Sequence, residues 1–151
     1  MRRFLVVAAG VAALGALAAV PGGAASSPQF TLIPDELSMS TTAGTITYAD
    51  VTVTNRSKDP LVIQNPATSD NAAFFDTQSG SCWQSYEVSG NPIPGRTSCT
   101  IQVGFYPLDT GTSNGTLTVS RCSTWHPDAS SHIVCDTLDG SRTVDLTGTG
   151  T

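Results

Sequence analysis

Ser98-Cys-Thr-Ile-Gln-Val-Gly-Phe-Tyr-Pro107 is the stretch that decides the fold class. Cys99, Ile101, Val103 and Phe105 fall on one side of an extended chain, and Thr100, Gln102 and Gly104 on the other. Side chains alternate across a strand, so this pattern predicts a half-buried β-strand at the centre of a core. Pro107 ends it, because proline has no N–H to give to a ladder.

Working outward, no window of eleven residues after the N-terminal region shows a helical period, whereas short runs rich in Thr, Val and Ile recur between Gly, Pro, Asn and Asp clusters. Ala49, Val51 and Val53 alternate with Asp50, Thr52 and Thr54. The polar turn Asn55 to Asp59 then leads to Leu61-Val62-Ile63, which reads as a hairpin-like pair. Ile46 and Tyr48 sit on the opposite phase from Val51 and Val53, which calls for a bulge near Ala49 or for two side chains that cover an edge. Leu117 and Val119 mark another strand, Val144 and Leu146 a last one, Phe30 to Met39 an edge strand broken by Pro34, and Ala72 to Phe75 a short one. About seven strands with regular turn signals predict an all-β, antiparallel two-sheet sandwich.

Upstream, Arg2 and Arg3 precede a run from Phe4 to Val20 without a charged residue, closed by Pro21 and the small residues Gly23-Ala24-Ala25. This is the pattern of a signal peptide over residues 1–25, with Ser26 as the expected mature N-terminus and residues 26–151 as one domain. The apolar run is short for a spanning helix, so no membrane segment is expected after cleavage. The formal charge is −5, and loss of Arg2 and Arg3 leaves five basic against twelve acidic residues. Such a balance lacks the basic footprint of a nucleic-acid or anionic-lipid binder.

An exported chain meets a non-reducing environment, so Cys82, Cys99, Cys122 and Cys135 are expected in disulfides. Four cysteines allow three pairings; Cys82 with Cys99 and Cys122 with Cys135 are favoured because each pair brackets one connection between candidate strands. No C-x₂-C or H-x₃-H unit is present, and no metal or cofactor is expected.

Val51-Thr-Val-Thr-Asn55, Pro60-Leu-Val-Ile63, Phe75, Cys82, Pro94-Gly95 through Pro107, Gly111, Gly115-Thr-Leu-Thr-Val119 and Val144-Asp-Leu-Thr-Gly148-Thr-Gly150 run in that order. Together, over residues 30–150, they resemble the immunoglobulin-like domains of the ASPM, SPD-2 and Hydin type, whose bacterial versions occur in secreted and surface proteins. The resemblance implies a seven-stranded sandwich used as a structural or protein-binding module, with no catalytic residues to carry over. The chain departs from the family in carrying a single copy and in the polar stretch between Cys122 and Cys135.

Several patterns invite a chemical reading. Gly111-Thr-Ser113-Asn-Gly115 matches G-x-S-x-G, but a nucleophile elbow needs a helix after it, and the residues read as a turn between strands. Asp109-Thr-Gly-Thr112 resembles one half of an aspartic protease site, which would require a homodimer to supply the second carboxylate. His126 and His132 lie in the Cys122–Cys135 loop, alongside Asp128 and Asp136, at a spacing unlike that of metal ligands, and Asp139-Gly140 reads as a tight turn. Asn55-Arg-Ser57 matches a glycosylation acceptor, which matters only in a eukaryotic host. Trp83 and Tyr86 after Cys82, and Trp125 beside His126 after Cys122, place aromatic rings in polar, disulfide-bounded loops. These four are the candidate binding residues, as anchors for a protein or cell-surface partner or as stacking platforms for sugars. The expected function is thus a secreted, non-catalytic binding module at the cell envelope or outside the cell, with a carbohydrate-binding module and a dimeric aspartic-type protease as the alternatives.

Overall fold

A computed structural model of the chain describes residues 29–69, 73–76, 79–82, 91–130 and 132–151. The expected signal peptide, Trp83 and Tyr86 lie outside the described residues. Nine strands are described: β1 (Phe30–Ile33), β2 (Glu36–Thr41), β3 (Thr47–Asn55), β4 (Val62–Ile63), β5 (Ala67–Thr68), β6 (Phe74–Asp76), β7 (Ser98–Phe105), β8 (Gly111–Pro127) and β9 (Ile133–Gly150). One sheet has the order β1-β3-β7-β6, the other β2-β9-β8-β4, with β5 also on β8. All pairings are antiparallel except β2 with β9, which is parallel. The architecture is an all-β sandwich.

β7 lies where its alternation demands, between β3 and β6. Ile101, Val103 and Phe105 are fully buried, and Thr100 and Gln102 face outward in half-buried positions. Val51 and Val53 from β3, Leu117 and Val119 from β8, and Val144 and Leu146 from β9 complete the same core. Phe74 stacks on Phe105 with ring centroids 5.0 Å apart. Gly148 of β9 faces that Phe105 ring so closely that a Cβ there would collide with it, which is why the Thr-Gly-Thr-Gly end of the chain packs flat over the core.

Long-range pairing corrects three local expectations and decides a fourth that the sequence left open. Phe30 to Met39 is two strands rather than one: after the cis Ile33-Pro34 bond, β1 stays in the first sheet while β2 crosses to the second. That crossing, with the short β4 and β5, raises the described strand count above seven. β3 and β4 are not a hairpin, because β3 pairs with β7 and β4 with β8 in the opposite sheet. β3 pairs with β7 without a bulge from Thr47 to Thr54, so Ala49 keeps phase with Val51 and Tyr48 points outward, exposed.

Gly111 to Gly115 is not a turn but the start of β8, paired to the end of β9. The connection that turns the chain is the segment before it, 106–110.

The two disulfides join Cys82 to Cys99 and Cys122 to Cys135, with Cα separations of 4.9 and 5.5 Å. The first is part of the main core, where Cys82 is fully buried. The second belongs to a satellite cluster of Val62, Cys122, Ile133 and Cys135. β4 separates the two clusters, since Leu61 and Ile63 face the main core and Val62 the satellite.

Candidate functional site

The polar stretch between Cys122 and Cys135, expected as a loop, is an extension of β8 and β9. β4 leaves β8 at Cys122 and β2 leaves β9 at Asp145, so the two strands continue as a ribbon with no third strand beside them among the described residues. The ribbon's strands run to Pro127 on β8 and from Ile133 on β9. Sequence reading missed this because Ser, Thr, His and Asp blur the period of two, and the ribbon is held by cross-strand pairing, a disulfide and the small cluster around Ile133 rather than by a face of the main core.

Register shifts aim the ribbon's charged groups. Between Ser120↔Ser141 and Cys122↔Leu138, Asp139 and Gly140 stand opposite the single residue Arg121. Gly140, at φ +78°, supplies the left-handed backbone that this bulge requires, so Asp139-Gly140 is a bulge inside β9 and not a hairpin turn. The Asp139 carboxylate accepts from Arg121 at 3.4 Å. A further shift places Asp136 without a counterpart, and its carboxylate reaches His126 Nδ1 at 2.9 Å. His132 Nδ1 lies 3.5 Å from Asp128. The two histidines thus go to separate carboxylates, and among the described residues no group of three His, Cys, Asp or Glu side chains gathers as a metal site.

Asp128 builds the ribbon loop. Its carboxylate accepts the backbone N–H of Ser130 at 2.7 Å and of His132 at 2.9 Å, while its own N–H donates to the His132 carbonyl at 2.8 Å. The His132 N–H, favouring the ionised form, is the main cause that holds the Asp128 pKa below the ordinary carboxylate value.

Trp125 stands opposite Cys135 in the ladder, on the disulfide's side of the ribbon, and is 40% exposed. Val134 and Leu138 are also exposed on the ribbon, at 39% and 48%. His126 is exposed opposite Val134. Of the four candidate residues, the described ones are Trp125 and His126, neighbours in the sequence, and the ladder turns them to opposite faces of the ribbon, both exposed.

Asp109 lies on the β7–β8 connection beside a cleft of about 260 Å³ lined by Pro107, Leu108, Thr110, Thr112 and Ser113 among others. Among the described residues, Asp109 is the one carboxylate lining that cleft, and an aspartic-protease pair needs two.

Asn55 is a functional position of another kind, which the glycosylation pattern hid. It is 1% exposed, and its Nδ2 donates to the carbonyls of Asp59, Ile93 and Pro94 at 2.8, 3.1 and 3.2 Å. Its Oδ1 accepts from the N–H and the hydroxyl of Ser57. The amide clamps the β3–β4 connection to the segment before β7 and has no free hydrogen to carry a glycan.

Comparison with solved structures identifies the class. The chain is similar to the ASH/PapD-like domain 7 of human CEP192, with a TM-score of 0.59, 11% identity and 89% of this chain against 93% of that one. It is also similar to SSP-19, an MSP-domain-like protein of Caenorhabditis elegans, with a TM-score of 0.56, 12% identity and 80% of this chain against 99% of that one. WR4, a C. elegans MSP family member, aligns with a TM-score of 0.50 and 9% identity over 83% of this chain and all of the other. No family model and no curated protein matches the sequence. The fold is immunoglobulin-like, of the kind shared by PapD-like and MSP domains.

Proposed function

We propose that this chain is a secreted, non-catalytic immunoglobulin-like module that binds another protein at or near the cell envelope, through the end that carries the ribbon. The observation that carries the reading is Trp125, an indole 40% exposed on a stapled two-stranded ribbon, with Val134 and Leu138 exposed on the same element. Exposed aromatic and aliphatic side chains on a rigid support are what interface hot spots are made of. Two disulfides support export, as does the leader pattern of residues 1–25. The order of motifs from Val51 to Gly150 supports membership of the ASPM, SPD-2 and Hydin type.

The test is affinity capture from the native culture medium with the parent protein and with Trp125→Ala, followed by titration of the captured protein. A single partner bound by the parent and weakened by about 2 kcal/mol or more in the variant, at unchanged melting temperature, supports the reading. Glycan-array binding that is lost in Trp125→Ala would move the module to the carbohydrate-binding class instead.

A further inference from the structure

We infer that the same end of the sandwich carries a cationic docking surface, made by Arg56, Lys58 and Arg96, for a short acidic segment of a partner polypeptide. The inference rests on the reading of this end as the binding end. It adds a second surface there and the chemistry of what that surface takes.

The three cations are distant in sequence and adjacent in the fold. Asn55 N–H donates to the Thr97 carbonyl at 2.9 Å and Arg96 N–H to the Ser57 carbonyl at 3.1 Å, so the two loops lie side by side. Gly95 approaches the Lys58 backbone so closely that no Cβ would fit between them. Leu61, just past the first loop, bridges to Ile93, and Val62 pairs with Cys122, so the ribbon's root lies beside the same loops. Without the leader the chain has five basic residues, and three of them meet here. All three are exposed, and none forms an ion pair among the described residues. Asp59 is the one carboxylate on these loops, and only its carbonyl is engaged.

Arg96 has φ +64°, a left-handed conformation that a bulky residue adopts only at a cost and that glycine adopts freely. The surroundings enforce it: the Thr97 N–H and hydroxyl both return to the Pro94 carbonyl, and the Asn55 amide holds Pro94 from beneath. A conformation that suits glycine, occupied by an arginine whose side chain makes no bond among the described residues, points to a use for the guanidinium outside the fold.

The free groups also choose among anionic ligands. A single phosphate is bound by converging backbone N–H groups, and here those of Asn55, Arg56, Ser57, Arg96 and Thr97 are already donated within the protein. What is left is three long side chains spread over two loops, of which Arg56 donates through Nε to Thr31 Oγ1 at 3.4 Å and keeps its two terminal nitrogens for a ligand. A dense polyanion such as nucleic acid would meet the negative remainder of a chain of net charge −5 within a Debye length or so of the patch. A short run of carboxylates touches the cationic end alone, where arginine forks match carboxylates two bonds at a time.

The test is fluorescence anisotropy of a labelled oligo-glutamate peptide with the protein at about 50 mM salt, where surface charges are weakly screened. Arg56→Ala, Lys58→Ala and Arg96→Gly combined should weaken binding by about tenfold or more, and raising the salt to about 300 mM should do the same. Arg96→Gly alone should weaken binding while the melting temperature stays or rises, which separates lost charge from lost fold. Trp125→Ala should leave this binding unchanged, so failure here is distinguishable from failure of the ribbon reading. The proposal is overturned if the parent does not bind the peptide at low salt, if the triple variant binds as well as the parent, or if inorganic polyphosphate of equal charge displaces the peptide at lower concentration than free oligo-glutamate.

Discussion

The strand β7 and the ribbon of β8 and β9 are built from similar parts and have different standing in the molecule. Each is an extended segment with an antiparallel partner and one disulfide. β7 has strands on both sides and a second sheet beneath it, so its alternate residues are wholly buried. The ribbon has two strands, three register shifts and a satellite cluster in place of a core. A body closed by long-range packing can thus support an outlying element whose surface is released from packing, and that element is where exposed apolar groups can be placed for binding.

The largest effect should come from the centre of the body. Phe105→Ala removes the ring that stacks on Phe74 and covers Gly148. The cavity should lower stability by about 3–5 kcal/mol in urea titration, and Val103→Asp should prevent folding by burying an unpaired carboxylate. Gln102→Lys, on the outer face where the Gln102 amide oxygen accepts from Ser79, should cost less than about 1 kcal/mol. A larger loss for Gln102→Lys than for Phe105→Ala would break the contrast between the faces of β7.

The two disulfides sharpen the comparison, because loop-closure entropy is nearly the same for separations of 17 and 13 residues. Replacing Cys82 and Cys99 by alanine should cost roughly 2–5 kcal/mol of global stability, since cavity formation in the main core adds to the entropy term. Replacing Cys122 and Cys135 should cost less in a global melt and show instead as faster amide exchange between residues 123 and 137. Equal global losses would mean that ribbon and body unfold as one unit.

Asn55→Ala should cost about 1–3 kcal/mol by thermal melting, because the carbonyls of Asp59, Ile93 and Pro94 each lose one of their donors and the clamp between the two loops goes with them. Oligo-glutamate affinity should fall with it, as the clamp beneath the three cations is removed.

The smallest effect is a local one with pH. The folded Asp128 pKa is below its unfolded value, so the stabilisation is complete above the ordinary aspartate range and is lost as pH falls through the folded value. Amide exchange, corrected for its intrinsic pH dependence, should show Ser130 and His132 losing protection in that acid window while Ile101 and Val103 keep theirs. Parallel loss of protection in β7 would show that the ribbon loop is coupled to the body.

The all-β class, the central strand of residues 98–105 and the disulfide pairing were legible in the sequence because each rests on something local: a period of two, a proline stop, cysteines that bracket a connection. The break at Pro34 was also legible as a break. That β1 and β2 then enter opposite sheets, and that β3 and β4 do not form a hairpin, was decided by pairing between distant segments, for which no short stretch carries a period. The ribbon was invisible for a related reason, since its residues are extended through their partners and it buries only the small cluster around Ile133 in place of a regular apolar face. At the candidate site the sequence supplied Trp125 and His126 as residues, and the tertiary structure decided that they stand on a paired ribbon rather than in a loop. Asn55, Arg56, Lys58 and Arg96 lie on two segments some forty residues apart, and only folding brings the buried amide and the three exposed cations to one end. Composition sums charge over the whole chain, whereas position in the fold decides where that charge is felt.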